Sequence, residues 1–185
     1  MKKIISIMTA VALVAGALCL VGCGQNNEQL IREKLTEELD TFKNQDDSAL
    51  SSIATAMENE GLDEMGIDSQ EFAAAVLDGF DYTIDDVQVN GDTANATVTI
   101  VSKSSSDFTQ RITEVAQTLV DDPAIAELTS EEKMSKLGEA VMQAFDETEV
   151  VTETATIEYK LNNNTWEPVD GSNSLASLDS IVFAR

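Results

Sequence analysis

The sequence predicts an α+β domain with N-terminal helices, a curved antiparallel sheet and an inserted helix pair. Two observations lead there. Apolar residues recur at three- and four-residue steps over 31–42, 50–57, 72–77 and 108–145, the spacing of helices with one buried face. Two other stretches, 80–102 and 151–169, alternate with period two, and each is interrupted by a turn sequence, Asn90-Gly91 and Asn162-Asn163-Asn164.

The chain opens on Met1-Lys2-Lys3 and runs apolar from Ile4 to Val21, interrupted only by Ser6, Thr9, Gly16 and Cys19. A positive start before an apolar core has the form of a secretory signal peptide. Its length of about 18 residues would also nearly span a bilayer, and the residues at its end decide between the two. Leu20-Val21-Gly22-Cys23 resembles the bacterial lipobox, with an aliphatic residue at −3, small residues beside the cut and cysteine at +1. The resemblance implies removal of residues 1–22 by cleavage after Gly22 and lipidation of Cys23. It also implies a cell-membrane location on the extracytoplasmic face, or the outer membrane where a cell has one. Two or three acyl chains, at roughly 0.8 kcal/mol per buried methylene, anchor a protein where one would be marginal. Residues 23–29 then read as the lipidated cysteine with a short tether, and 30–185 as one domain.

Each element of that domain has its own signal. Ile31, Leu35, Leu39 and Phe42 share the face of a first helix. Asp46-Asp47-Ser48 caps a second, carrying Leu50, Ile53, Ala54 and Met57, and Gly61 to Gly66 forms a loop. Asp68-Ser69-Gln70-Glu71 has capping-box spacing and opens a third helix with Phe72, Ala73, Val76 and Leu77, ended by Gly79. Phe80, Tyr82 and Ile84 alternate, Asp85-Asp86 shifts the phase, and Val87 and Val89 continue it, the mark of a β-bulge. Ala94, Ala96, Val98 and Ile100 face inward on the return strand. Phe108, Ile112, Val115, Ala116 and Leu119 share a helix face that ends near Asp122 because Pro123 follows. Thr129-Ser130-Glu131-Glu132 is a second capping box, opening a helix with Met134, Leu137, Val141 and Phe145 on one side. Val151 to Leu161 is a strand, and Pro168 confines its partner, Thr165 to Val169, to an edge or strand end. The last residues, Ser174 to Arg185, fit a short helix or a final strand.

Composition excludes more than it selects. Lys2 and Lys3 leave with the signal peptide, taking the 11 basic side chains to 9 against 34 acidic ones, a net charge of −25. With no basic cluster, nucleic acid is excluded as a partner, and an anionic lipid surface would repel the domain, leaving the lipid to tether it. The chain has no histidine, and Cys23 is its only cysteine after the cut. Histidine bases, thiol nucleophiles, Cys/His zinc sites and disulfides are thereby removed. The expectation is a non-enzyme that needs no cofactor and builds no metal site.

Two stretches, "VQVNGDTANATVTI" (87–100) and "ATIEYKLNNNTWEPVDG" (155–171), resemble the hairpins of small bacterial lipoproteins with a cystatin-like or nuclear-transport-factor-2-like cone. That resemblance implies a curved sheet wrapped around a helix with a concave apolar pocket. Its lining would include Phe72, Tyr82, Val98, Ile157 and Trp166. The first expectation for function is therefore a lipid-anchored module binding a small ligand or a peptide. The alternative is an accessory lipoprotein acting by protein–protein contact at the envelope, which predicts a filled core and an exposed apolar patch on the 107–147 helices. A small hydrolase or isomerase on the cone ranks last, for want of histidine.

Overall fold

The computed structural model describes residues 27–57, 61–169 and 183–184. Cys23 and the cleavage point after Gly22 lie outside the described residues. No described helix is long and apolar enough to cross a membrane.

Helix α1 (Asn27–Lys43) buries Ile31, Leu35, Leu39 and Phe42, the four side chains its periodicity picks out. It starts earlier than expected. Asn27, Glu28 and Gln29, assigned to the tether from sequence, form its first turn, with Glu28 near the positive end of the helix dipole and 3.9 Å from Arg32. A tight turn leads to α2 (Asp47–Met57), and a single 3₁₀ turn (Asp63–Met65) occupies the expected loop. Helix α3 (Ser69–Leu77) is capped by Asp68, whose carboxylate accepts from the N–H groups of Gln70 and Glu71, both at 2.9 Å.

The sheet is curved and unclosed, in the order β1 (Asp81–Asn90), β2 (Thr93–Ser104), β3 (Val150–Asn162), β4 (Thr165–Pro168), with every one of these neighbours antiparallel. Its inner face carries Val87, Ala94, Ala96, Val98, Ile100, Ile157, Tyr159 and Trp166, all buried. The outer face leaves Thr83, Thr93, Thr152, Thr154 and Thr156 exposed. A one-residue slip would exchange those two sets, which is why the register is well specified.

The bulge falls where the phase shift places it: Ile84 pairs with Val98 and Asp86 with Thr97, leaving Asp85 extra. Beside it, Arg32 of α1 donates to the Ile84 carbonyl at 2.7 Å, pinning helix to strand. The first hairpin turns one residue later than the Asn-Gly signal suggests. Asn90 pairs with Thr93, so the loop is Gly91-Asp92. Only Gly91 has positive φ there (63°), the pattern of a type II′ turn with glycine first. In the second hairpin Asn163 (φ 48°) and Asn164 (φ 65°) both take left-handed conformations, as type I′ requires. Pro168 ends β4, as expected of a residue without an N–H. Of the C-terminal segment, Phe183–Ala184 forms a short strand β5, parallel to β2 at Lys103–Ser104.

Between β2 and β3 the chain makes a helical hairpin of α4 (Ser105–Asp121), α5 (Pro123–Ala126) and α6 (Ser130–Glu147). The Thr129 capping box is complete: its hydroxyl accepts from Glu132 N–H at 3.3 Å, while the Glu132 carboxylate accepts from Thr129 N–H at 2.8 Å. The short α5 was not expected. Asp121-Asp122-Pro123 reads from sequence as a stop, yet Asp122 caps Ala124 N–H at 2.8 Å with proline in the first turn, a start signal as well.

Candidate functional site

The five side chains expected to line a pocket are placed in or against the core. Phe72 (4% exposed), Val98 (0%), Ile157 (0%) and Trp166 (6%) belong to the buried cluster that fills the space between α1, α3 and the sheet, and Tyr82 packs on its margin. Phe72 meets the Phe145 ring edge-on at 4.9 Å between centroids. Tyr82 reaches across to α1, donating to Asp40 at 2.7 Å; burial and that carboxylate push its hydroxyl up to about 12. Among the described residues, Trp166 Nε1–H is buried without a hydrogen-bond partner. Burial also raises the Glu38 carboxyl, partly offset by Lys34 at 4.0 Å. The bulge acids Asp85 and Asp86 are exposed, Asp85 accepting from the Thr99 hydroxyl at 2.7 Å.

The hairpin is anchored at one end and open at the other. At its base Phe145 is fully buried, with Phe72 on one side and the Phe108 ring 4.0 Å away on the other, so one side chain of α6 joins α3 to α4. Lys103 of β2, 3% exposed, donates to the Phe145 carbonyl at 2.8 Å, which satisfies a C-terminal carbonyl of α6 and places a cation at the negative end of its dipole. Sequence alone gives no reason to bury that lysine. Asp107 accepts from Arg111 at 2.8 Å and from Glu149 N–H at 2.9 Å, contacts that hold its carboxyl below the usual range, Arg111 contributing most. Arg111 continues to Glu147 at 3.3 Å, tying α4 to the end of α6. Halfway along α6, Gly138 lies against the backbone of Met65 in the 3₁₀ turn.

Beyond Gly138 the packing thins. Neither α4 nor α5 has a fully buried residue, although α4 carries a well-formed apolar stripe. At the tip the two stripes and α5 enclose an open groove of about 550 Å³, walled by Ala116, Leu119 and Val120 on one side and by Met134 and Leu137 on the other, with Ile125 from α5. Val120 is 79% exposed. An apolar groove that the domain's own core does not fill has the character of a contact surface. The polar groups around it are Asp121, Asp122, Lys133 and Lys136. Asp121 accepts from Gln117 at 3.0 Å, Asp122 caps α5, and Lys136 pairs with Glu139 one turn along the helix.

Fold and site together define an α+β domain with an open sheet and a projecting helical hairpin. No family model and no curated protein matches the chain. Among solved structures, the candidate lipoprotein YcdA of Bacillus subtilis matches at 14% sequence identity with a TM-score of 0.46, over 88% of this chain and 48% of that one. The chain thus spans about half the length of that protein. At this level of similarity nothing of its role passes across.

Proposed function

We propose that this chain is a lipid-anchored, extracytoplasmic accessory protein, non-catalytic, that works by protein–protein contact through its helical hairpin. The observation that carries the reading is the open apolar groove at the hairpin tip, beside which Val120 stands 79% exposed. The lipobox resemblance at Leu20 to Cys23 supports the address. The packing of α1 on the inner face of a curved sheet agrees with a cystatin-like cone whose interior is occupied by side chains. A photo-reactive residue at Val120, placed in the chain in living cells, is expected to give a protein adduct, whereas the same residue at Thr154 on the outer sheet face is not. Equal labelling at both positions, or none at Val120, would sink the reading.

A ligand-binding role is the second reading, and one observation favours it. The Trp166 Nε1–H is buried without a partner among the described residues, a state that costs on the order of 1–3 kcal/mol and that an acceptor on a bound ligand would relieve. Trp166→Phe keeps most of the ring and removes the orphaned donor. Its expected effect on thermal unfolding is neutral or slightly stabilising, by up to about 1 kcal/mol. A loss above about 2 kcal/mol would show that the N–H already has a partner, and the reading would lose its support.

A further inference from the structure

We infer that the groove at the hairpin tip receives a basic amphipathic helix of another protein. The inference rests on the docking role proposed above and names the chemistry of the partner. It stands on shape and charge together.

The groove lies between two antiparallel helices and is apolar along its floor, with Leu119 and Ala116 on α4 facing Met134 and Leu137 on α6. A third helix laid there would bury side chains at i, i+3 or i+4 over one to two turns, the way an amphipathic helix engages a helical groove. Charge then selects which helix. Over 105–147 the hairpin carries 10 acidic and 3 basic side chains, a net charge of −7. Its three cations are engaged within the hairpin. Arg111 bonds Asp107 and Glu147, Lys136 pairs with Glu139, and Lys133 turns back to the Ala126 carbonyl at 3.3 Å. The acids at the tip, Asp121, Asp122, Glu127 and Glu131, are exposed and, among the described residues, are not countered by a salt bridge. An acidic partner, or a second copy of a chain with net charge −23 as encoded, meets repulsion at this rim. Lysines or arginines flanking an apolar stripe meet attraction instead.

The test uses the full chain in detergent with two synthetic 14-residue helical peptides, one of leucine and lysine and one of leucine and glutamate in the same helical pattern. The Leu/Lys peptide is expected to bind at least about tenfold more tightly, and to weaken at 1 M salt, where the screening length falls to about 3 Å. Val120→Glu separates docking from mere charge attraction. It adds an acid at an exposed position that does not touch the core, so attraction alone would strengthen binding, whereas loss of the apolar wall is expected to weaken it about tenfold. Tighter binding to Val120→Glu overturns the inference, as does equal or better binding of the Leu/Glu peptide. The Val120 crosslinking experiment keeps the two failures apart. An adduct with a second copy or with an acidic partner overturns the inference and leaves the docking role standing; no protein adduct removes both.

Discussion

Phe145→Ala is expected to destabilise the protein by about 3–5 kcal/mol, the range for truncating a buried phenylalanine. At roughly 2–4 °C per kcal/mol for a chain of this size, the midpoint of thermal unfolding should fall by about 6–20 °C. Three effects add at this position. The ring is 1% exposed, so its full apolar surface is returned to a void. It is the shared partner of Phe72 and Phe108, so α3 and α4 both lose an aromatic contact. The Lys103 ammonium sits on the same residue's carbonyl, so any relaxation of the backbone there also disturbs a buried charge. The comparison variant is Met134→Ala, at the half-exposed tip of the same helix, where the loss should be about 1 kcal/mol or less. Denaturant unfolding of both reads the contrast directly. Similar losses at both positions would mean that the base of the hairpin is no better anchored than its tip, and that the open end has no special standing as a contact surface.

Gly138→Ala is the second large effect, and its sign is the informative part. Glycine within a helix costs about 1 kcal/mol relative to alanine, so propensity alone predicts a gain. A Cβ at this position would run into the carbonyl oxygen of Met65, which is backbone and cannot rotate away. The helix must therefore separate from the 3₁₀ turn, and overpacking of this kind typically costs about 1–3 kcal/mol, occasionally more. The expected net result is a loss of up to about 2 kcal/mol, readable as a lower midpoint in urea with an unchanged slope. A gain would mean that α6 does not lie against Met65 as closely as this. Gly138 was not distinguishable in the sequence from an ordinary small residue on the helix, because the approach involves a turn some 70 positions earlier.

Much of the fold is legible along the chain because its causes are local. The inward residues of α1 are set by their spacing, the bulge by the break in alternation at Asp85-Asp86, and the caps of α3 and α6 by Asp68 and Thr129. The departures are local too, and small. The Asn90-Gly91 dipeptide announces a hairpin, but pairing of Asn90 with Thr93 moves the loop on by one residue, because a type II′ turn needs its glycine first. Asn27 to Gln29 join α1 because nothing in them stops a helix once its apolar face is held by the sheet.

The candidate site is a different matter. Sequence periodicity marks Phe72, Val98, Ile157 and Trp166 as apolar and inward-facing, and inward is where they are, but a period cannot say whether the space they face is filled. Nor can it say that the α4 stripe runs past the end of its support. The residues of that stripe look alike from Phe108 to Leu119, yet only the base meets a core aromatic, Phe145, while the tip meets the groove.

What the sequence by itself determined is the set of long helices and of strands β1 to β4, their inward faces, the acidity, and the absence of histidine chemistry; these follow from residue identity and spacing. The tertiary structure alone decided which inward faces meet each other. It buried Lys103 on the end of α6, brought Gly138 to Met65, gathered Phe72, Val98, Ile157 and Trp166 into one buried cluster and left the hairpin tip open. The physical reason is that burial is a property of pairs of surfaces far apart in the chain, and no single helix or strand carries the record of its partner.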